Sequence, residues 1–282
     1  MVLNRLIENG QSANIDTVVV AQDKGVEEDY SEDIKKQAHN NSIKVLSRTD
    51  SEVSKLSGKY AFAIAWRWLI NTTSFEMLIV FHDSLLPKYR GFAPLVAQLI
   101  NGEKKIGVTA ILASTGYDEG PILSQESAEI EYPIKVEHAI EVISDLYGRQ
   151  IEAIFEKILQ KEDLNPVSQD NSEATYSIWR DDEDLRIDWN LSSDRIKRFV
   201  DATGFPFKGA YTRLAEKRIV ITHVELIKDL KLEFRHVGKT IRFEEGDPVV
   251  ICGDGLIRIR NAKWHDSQEK IIKWPMFRMK FV

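Results

Sequence analysis

The sequence predicts an α/β fold with a Rossmann-like, mostly parallel sheet and helices on both faces. A small C-terminal β-barrel domain, OB-like, follows it. Three observations predict this. Short apolar runs alternate with amphipathic segments between Ile15 and Leu159. A polar stretch with Pro166, Lys161 to Glu173, then breaks the pattern. Beyond Arg218 the apolar runs are short, β-rich and separated by turn residues.

Val2 to Ile7 is apolar at helical spacing and stops at Asn9-Gly10, a helix C-terminal signal. Ile15 to Ala21 reads as a buried strand, Ser31 to Ala38 as a helix, and Ile43 to Val45 as a short strand. Ser51 to Leu56 reads as a short helix, and Tyr60 to Trp66 as a strong strand. Met77 to Val80, Ile106 to Leu112 and Pro121 to Glu131 are further strands, with a helix from Phe92 to Ile100. Val136 to Leu159 is a long amphipathic helix. A helix capped by Ser or Asp runs from about Asp194 to Val200. Strands then follow at Arg218–Leu226, Thr240–Phe243, Pro248–Cys252 and Leu256–Asn261, the last two joined by the turn Gly253-Asp254-Gly255. The expected domains are 1–180, with a linker at about 161–180, and 181–282. An open α/β sheet normally begins with a strand whose loop binds phosphate. This chain begins on a helix, so a usually central strand is expected to be missing, and a displaced start would account for it.

The 282 residues carry a formal net charge of −6, with Asp and Glu concentrated between Asp23 and Asp33. That balance argues mildly against an RNA substrate, although Arg213, Lys217, Arg218, Arg258 and Arg260 could form a local basic patch. No apolar run approaches the roughly 18 residues that span a bilayer, and the N-terminus has no signal-peptide pattern. One cysteine, Cys252, lies in an apolar run and reads as a packed residue. The expectation is a cytoplasmic protein without a membrane partner, for which a homodimer is allowed.

Two acid–base candidates stand at the ends of neighbouring predicted strands: His82 and Asp118. A lone histidine at a strand end is more often packed than catalytic, and an Asp in a glycine-rich turn is a turn former first. A carboxylate that orients an imidazole is nonetheless the standard way to hold one tautomer. Gly116 and Gly120 are expected to let the chain turn tightly around Asp118.

The words around these residues add more. His82-x-Ser84-Leu85-Leu86-Pro87-x-Tyr89-Arg90-Gly91, then Gly107-Val108-Thr109, then Gly116-Tyr117-Asp118-x-Gly120-Pro121 resemble the folate-dependent formyltransferase family. Arg186-Ile187-Asp188-Trp189, Phe205-Pro206-x-x-Gly209-Ala210-Tyr211-Thr212 and Cys252-Gly253-Asp254-Gly255 resemble that family's C-terminal barrel. The resemblance implies 10-formyltetrahydrofolate as formyl donor and an amine as acceptor. It implies that His82 shuttles the amine proton or stabilises the oxyanion, and that Asp118 holds and polarises His82. Trp66, Arg67, Trp68 and Leu69 resemble the loop lining the pterin pocket, with Leu86 a wall and Ser114 and Tyr117 beside it. For Trp66 and Trp68 the competing reading is core packing.

The family usually has Asn two places before the histidine, donating to the formyl oxygen; here that residue is Val80. Losing one such donor costs roughly a hundred- to a thousandfold in rate. The implied function is transfer of a formyl group to a nucleotide-linked amino sugar. Formylation of methionyl-tRNA is the first alternative, less expected from the acidic charge. Binding and hydrolysis of 10-formyltetrahydrofolate is the second.

Overall fold

β-branched and aromatic runs set the strands of this chain, and helix ends follow capping chemistry. The structure is a computed structural model that describes residues 2–282 apart from Lys24, Glu28 and Met276. Helix α1 (Val2–Glu8) is followed by β1 (Thr17–Val20), α2 (Ser31–Asn40), β2 (Lys44–Ser47), β3 (Gly58–Ala63) and β4 (Phe75–His82). Then come β5 (Arg90–Gly91), α3 (Pro94–Asn101), β6 (Lys105–Leu112), β7 (Ile122–Glu129), α4 (Val136–Gln160) and β8 (Tyr176–Ser177). Helix α5 (Ser193–Thr203) precedes β9 (Ala210–Leu214), β10 (Lys217–Ile227), β11 (Thr240–Glu244), β12 (Asp247–Ile251) and β13 (Leu256–Trp264). Glu32 and Asp33 occupy the first turn of α2, where the helix dipole favours anions. The Ser192 hydroxyl caps α5 by accepting from the Arg195 amide at 3.3 Å.

The chain divides into two compact units, Met1–Leu95 with Lys104–Ile130 and Ala139–Ile178, and Val96–Glu103 with Glu131–His138 and Trp179–Val282. Among the described residues the first unit holds three sheets, the smallest being the parallel pair β5–β8. Another is the parallel pair β1–β2. The third has the order β3-β4-β6-β7. Among the described residues no strand joins the pair β1–β2 to the sheet β3-β4-β6-β7.

Within the larger sheet β3 and β4 are parallel, with Ala63 opposite Val80, while β6 is antiparallel to both its neighbours. β6 runs back alongside β4, with His82 opposite Thr109 and Ile79 opposite Leu112. Ile79 on β4, Val108 and Ala110 on β6, and Leu146 and Ile151 on α4 are buried. The Phe81 ring packs against Tyr147 on α4, centroids 5.7 Å apart.

The second unit is one antiparallel sheet in the order β11-β12-β13-β10-β9. Its two edges are bridged by the last residues of the sequence. The Phe281 amide donates to the Gly238 carbonyl at 2.8 Å, the Thr240 amide donates to the Met279 carbonyl at 2.9 Å, and Arg213 and Val282 exchange both backbone bonds. That segment gives the unit its barrel-like closure. Trp189, Ile196, Val200, Ile219, Ile221, Ile257, Ile259 and Phe281 share its core. The Trp189 indole N–H is satisfied by the Thr212 hydroxyl at 3.0 Å. Burial pushes the Cys252 thiol up to about 12, so it stays protonated and packed. No helix among the described residues is long and apolar enough to cross a membrane.

Candidate active site

Strand β4 carries the chain to His82 and then releases it into a loop fastened at several points. The Ser84 hydroxyl donates to the Lys88 carbonyl at 2.6 Å. The buried Thr109 hydroxyl donates to the Ser84 carbonyl at 2.6 Å and accepts from the Leu86 amide at 3.0 Å. These bonds fix the loop against β6, so the imidazole is held by a rigid frame.

His82 is only 7% exposed. Its Nε2 lies 2.7 Å from the Tyr89 carbonyl oxygen. Its Nδ1 lies 3.5 Å from Asp118 Oδ2, an ion-pair distance. A carbonyl can only accept, so Nε2 carries a hydrogen. The Asp118 carboxylate stands beside the other ring nitrogen, where it favours a positive imidazole over a neutral one. Both acceptors come from left-handed backbone: Tyr89 has φ 61° and Asp118 has φ 55°. A bulky residue such as Tyr rarely adopts this conformation, and each such residue costs about 1–3 kcal/mol. Such strain persists only where the surroundings enforce it.

Those surroundings are visible. Asp118 Oδ2 accepts from the Gly91 amide at 2.8 Å. The buried Arg90 guanidinium donates to Gln169 Oε1 and Asn171 Oδ1 at 2.7 and 2.8 Å, and Glu119 lies 3.6 Å from it. Gln169 in turn donates to the carbonyls of Asp118 and Gly120, each at 2.8 Å. Arg90 thus ties residues 169–171 to the Asp118 loop.

The expectation that His82 and Asp118 stand at neighbouring strand ends needs correcting. Because β6 is antiparallel, its carboxyl end lies beside Ile79, and His82 faces Thr109. Asp118 reaches the imidazole because residues 113–121 fold back. Nor do the glycines supply the left-handed turn; Asp118 itself does. Gly120 is needed for close approach, since a Cβ there would collide with the Leu112 carbonyl oxygen.

Trp66, Arg67, Trp68 and Leu69 lie just beyond β3, at the end of the sheet where β4 delivers His82. Trp66 and Trp68 meet edge-on at 5.1 Å. The Arg48 and Arg67 guanidinium groups lie 4.9 and 5.8 Å from the centre of the Trp68 ring, and Arg67 also pairs with Asp23. Leu69 is 90% exposed and Tyr117 69% exposed. Exposed Ser114 donates to the Gly116 carbonyl at 3.1 Å. Leu86 is 3% exposed, so its side chain belongs to the core behind the loop. The structure also brings in residues that the sequence reading passed over: Tyr89, Arg90, Gln169, Asp83 and Tyr147. The Tyr147 hydroxyl donates to Asp83 Oδ1.

Of Arg213, Lys217, Arg218, Arg258 and Arg260, the last three pair with carboxylates. Arg258 pairs with Glu245 at 2.8 Å and Asp247 at 3.2 Å. Arg260 pairs with Asp247 at 3.0 Å, Glu245 at 3.3 Å and Glu225 at 3.4 Å. Arg218 pairs with Glu183, and the Lys217 ammonium lies 5.3 Å from the centre of the Trp264 ring.

Comparison with known proteins identifies the class. Residues 1–146 match the family model "Formyl transferase", and residues 180–275 match "Formyl transferase, C-terminal domain". The chain belongs to the formyl transferase family. A methionyl-tRNA formyltransferase of Thermodesulfovibrio yellowstonii is 32% identical over 212 residues, covering 74% of this chain and 66% of that protein. Against two further methionyl-tRNA formyltransferases the chain spans 60% and 58% of their length. Two solved sugar enzymes share the fold. The N-formyltransferase from Helicobacter canadensis, in complex with folinic acid and dTDP-3-aminofucose, is 19% identical with a TM-score of 0.64, covering 91% of this chain and 93% of that one. WlaRD, a sugar 3N-formyl transferase, is 21% identical with a TM-score of 0.62, covering 96% and 93%.

Proposed function

We propose that this chain transfers a formyl group from 10-formyltetrahydrofolate to the amine of a nucleotide-linked amino sugar. The observation that carries formyl transfer is His82 held between Tyr89 and Asp118 at the end of β4. A substrate amine attacks the formyl carbon. A new C–N bond forms, the bond to the folate nitrogen breaks, and a proton passes from the amine to the departing nitrogen. The enclosed imidazole beside Asp118 is the group placed to relay that proton and to stabilise the oxyanion that forms on the way.

The residues present suit a pterin. The Trp66 Nε1 is buried and has no acceptor in the protein, and such an orphan costs about 1–3 kcal/mol. A ring acceptor of the folate would satisfy it. Trp66 and Trp68 would hold the ring, with Arg67 beside them.

The choice of a small amine rests on the engaged arginines of the second unit. Grip on a tRNA acceptor stem needs several free phosphate contacts, and Arg218, Arg258 and Arg260 are already neutralised. The two sugar formyltransferase structures, similar over both units, add support. The test is a formylation screen of the purified protein against nucleotide-linked amino sugars, with charged initiator tRNA as the comparison. Turnover on at least one sugar and none on tRNA is expected; efficient tRNA formylation would overturn the sugar reading.

Val80 favours a second reading, hydrolysis. Strand alternation puts Val80 on the same face as His82, and it offers no donor to a formyl oxygen. Val80→Asn is expected to raise formyl transfer about tenfold, part of what one oxyanion donor is worth. Rates of transfer to an amine and of formate release, each compared with wild type, measure it. Unchanged rates in the folded variant would mean that another donor already fills the role.

A further inference from the structure

We infer that Gln169 is a positioning residue for the reaction, holding the Asp118 loop by two backbone carbonyls so that the Asp118 carboxylate stands against His82. The inference rests on the formyl-transfer reading for its purpose, though not for its geometry.

Residues 169–177 form a connecting segment beyond α4, and most of their side chains are exposed. Polar bonds rather than apolar burial fasten this segment to the site. On the Tyr89 side, the Thr175 hydroxyl accepts from the Tyr89 amide at 2.9 Å. The Thr175 carbonyl accepts from the Arg90 amide at 2.8 Å, and the Ser177 carbonyl from the Phe92 amide at 3.0 Å. On the Asp118 side the half-buried Gln169 makes the contact. Its Oε1 accepts from Arg90 Nε at 3.1 Å and Nη2 at 2.7 Å. Its Nε2 donates to the Asp118 and Gly120 carbonyls, each at 2.8 Å. A guanidinium only donates and a carbonyl only accepts, so the amide has one orientation that satisfies both sides. A carboxylate at this position would serve Arg90 as well, but it could not donate to the loop.

The two donated bonds fall where the backbone is strained. Asp118 has φ 55°, and its carbonyl is one of the pair that Gln169 holds. Its Oδ2 accepts from the Gly91 amide at 2.8 Å and lies 3.5 Å from His82 Nδ1. Without donors at 118 and 120 this turn is free to relax towards ordinary backbone, and the carboxylate moves with it. The competing reading is that Gln169 only gives the buried Arg90 charge an acceptor, since an unpaired buried charge is costly. Gln169→Glu separates the two, because it keeps the acceptor and abolishes both donors. The site also contains its own reporters. The Arg90 and Phe92 amides pair with residues 175 and 177, whereas the Gly91 amide between them pairs with Asp118.

Amide hydrogen exchange of the folded protein reads the contact without substrate. In Gln169→Glu the Gly91 amide is expected to exchange about tenfold faster or more, as in Asp118→Ala, while the Arg90 and Phe92 amides stay as in wild type. Gln169→Ala should free the Gly91 amide to the same extent. In folate-dependent turnover Gln169→Glu should lower kcat by about ten- to a hundredfold and change the KM for 10-formyltetrahydrofolate by less than about twofold. In an Asp118→Asn background the same substitution should cost less than about threefold, because it acts through a carboxylate already removed. Unmoved Gly91 exchange in the folded variants overturns the inference. So does a rise at all three amides together, wild-type turnover in Gln169→Glu, or full additivity with Asp118→Asn. Faster exchange at Gly91 alone, in a protein whose wild type has no folate turnover, keeps Gln169 as the residue that positions Asp118 and removes the functional reading. If both Gln169 variants fail to fold, the residue is structural and the inference falls.

Discussion

Replacing His82 by alanine is expected to reduce folate-dependent turnover by about a hundred- to ten-thousandfold, the usual worth of a positioned acid–base group. The loss should appear in formate release and in transfer to an amine alike, because both routes pass through the same tetrahedral centre. It should appear in kcat more than in KM, since the proposed reaction uses the imidazole at the reacting carbon and not in holding the pterin. The fold should survive. The Tyr89 carbonyl and Asp118 lose a partner, but the Ser84–Thr109 and Arg90–Gln169 bonds that shape the loop do not involve the imidazole. Circular dichroism and urea midpoints of the variant check this. Turnover equal to wild type in a folded His82→Ala protein would remove His82 from the mechanism.

The second large effect is expected far from that chemistry. Phe281→Ala should destabilise the second unit by about 3–5 kcal/mol, the range for emptying an aromatic site in a core. Phe281 is among the most enclosed side chains of the described residues, and its ring lies 5.8 Å from both Trp189 and Trp274. Its own backbone bridges one edge of the sheet through Gly238. The substitution therefore empties the core and loosens the segment that closes it. Urea unfolding followed by tryptophan fluorescence measures the change, and a loss under about 1 kcal/mol would mean that the site collapses to fill the space. Where the two units unfold in separate steps, only one step should move.

The sequence carried the helix–strand order because periodicity is local. Helix α4 and strands β10 to β13 lie close to where their apolar spacing puts them. The direction of β6 was hidden because it is set by pairing with β4 and β7, and apolar periodicity reports a strand without its direction. Barrel closure was hidden for a similar reason, since residues 279–282 have no strand pattern and take their pairing from two edges far away in sequence.

The candidate site divides in the same way. His82 was legible from its place after an apolar run, and Asp118 from its glycine-flanked turn. The Tyr89 carbonyl was not, because a backbone oxygen has no letter in a sequence. The Asp83–Tyr147 contact was passed over: one residue follows the histidine, the other sits on α4, 64 residues along the chain. A charged residue against a predicted strand end, facing a helix whose apolar stripe contains a tyrosine, was the available signal.

The left-handed residues beside His82 have a consequence for anyone who sets out to make this protein sturdier. Tyr89 and Asp118 are positions where glycine would relax the backbone, so a search guided by conformational energy alone would select them first. At Asp118 the exchange deletes the carboxylate outright. At Tyr89 it keeps the carbonyl but frees the chain that aims it, exchanging a fixed acceptor for a wandering one. On the proposed mechanism thermal tolerance and turnover are set against each other at these two residues, and improvements in one without loss in the other have to be sought elsewhere in the chain.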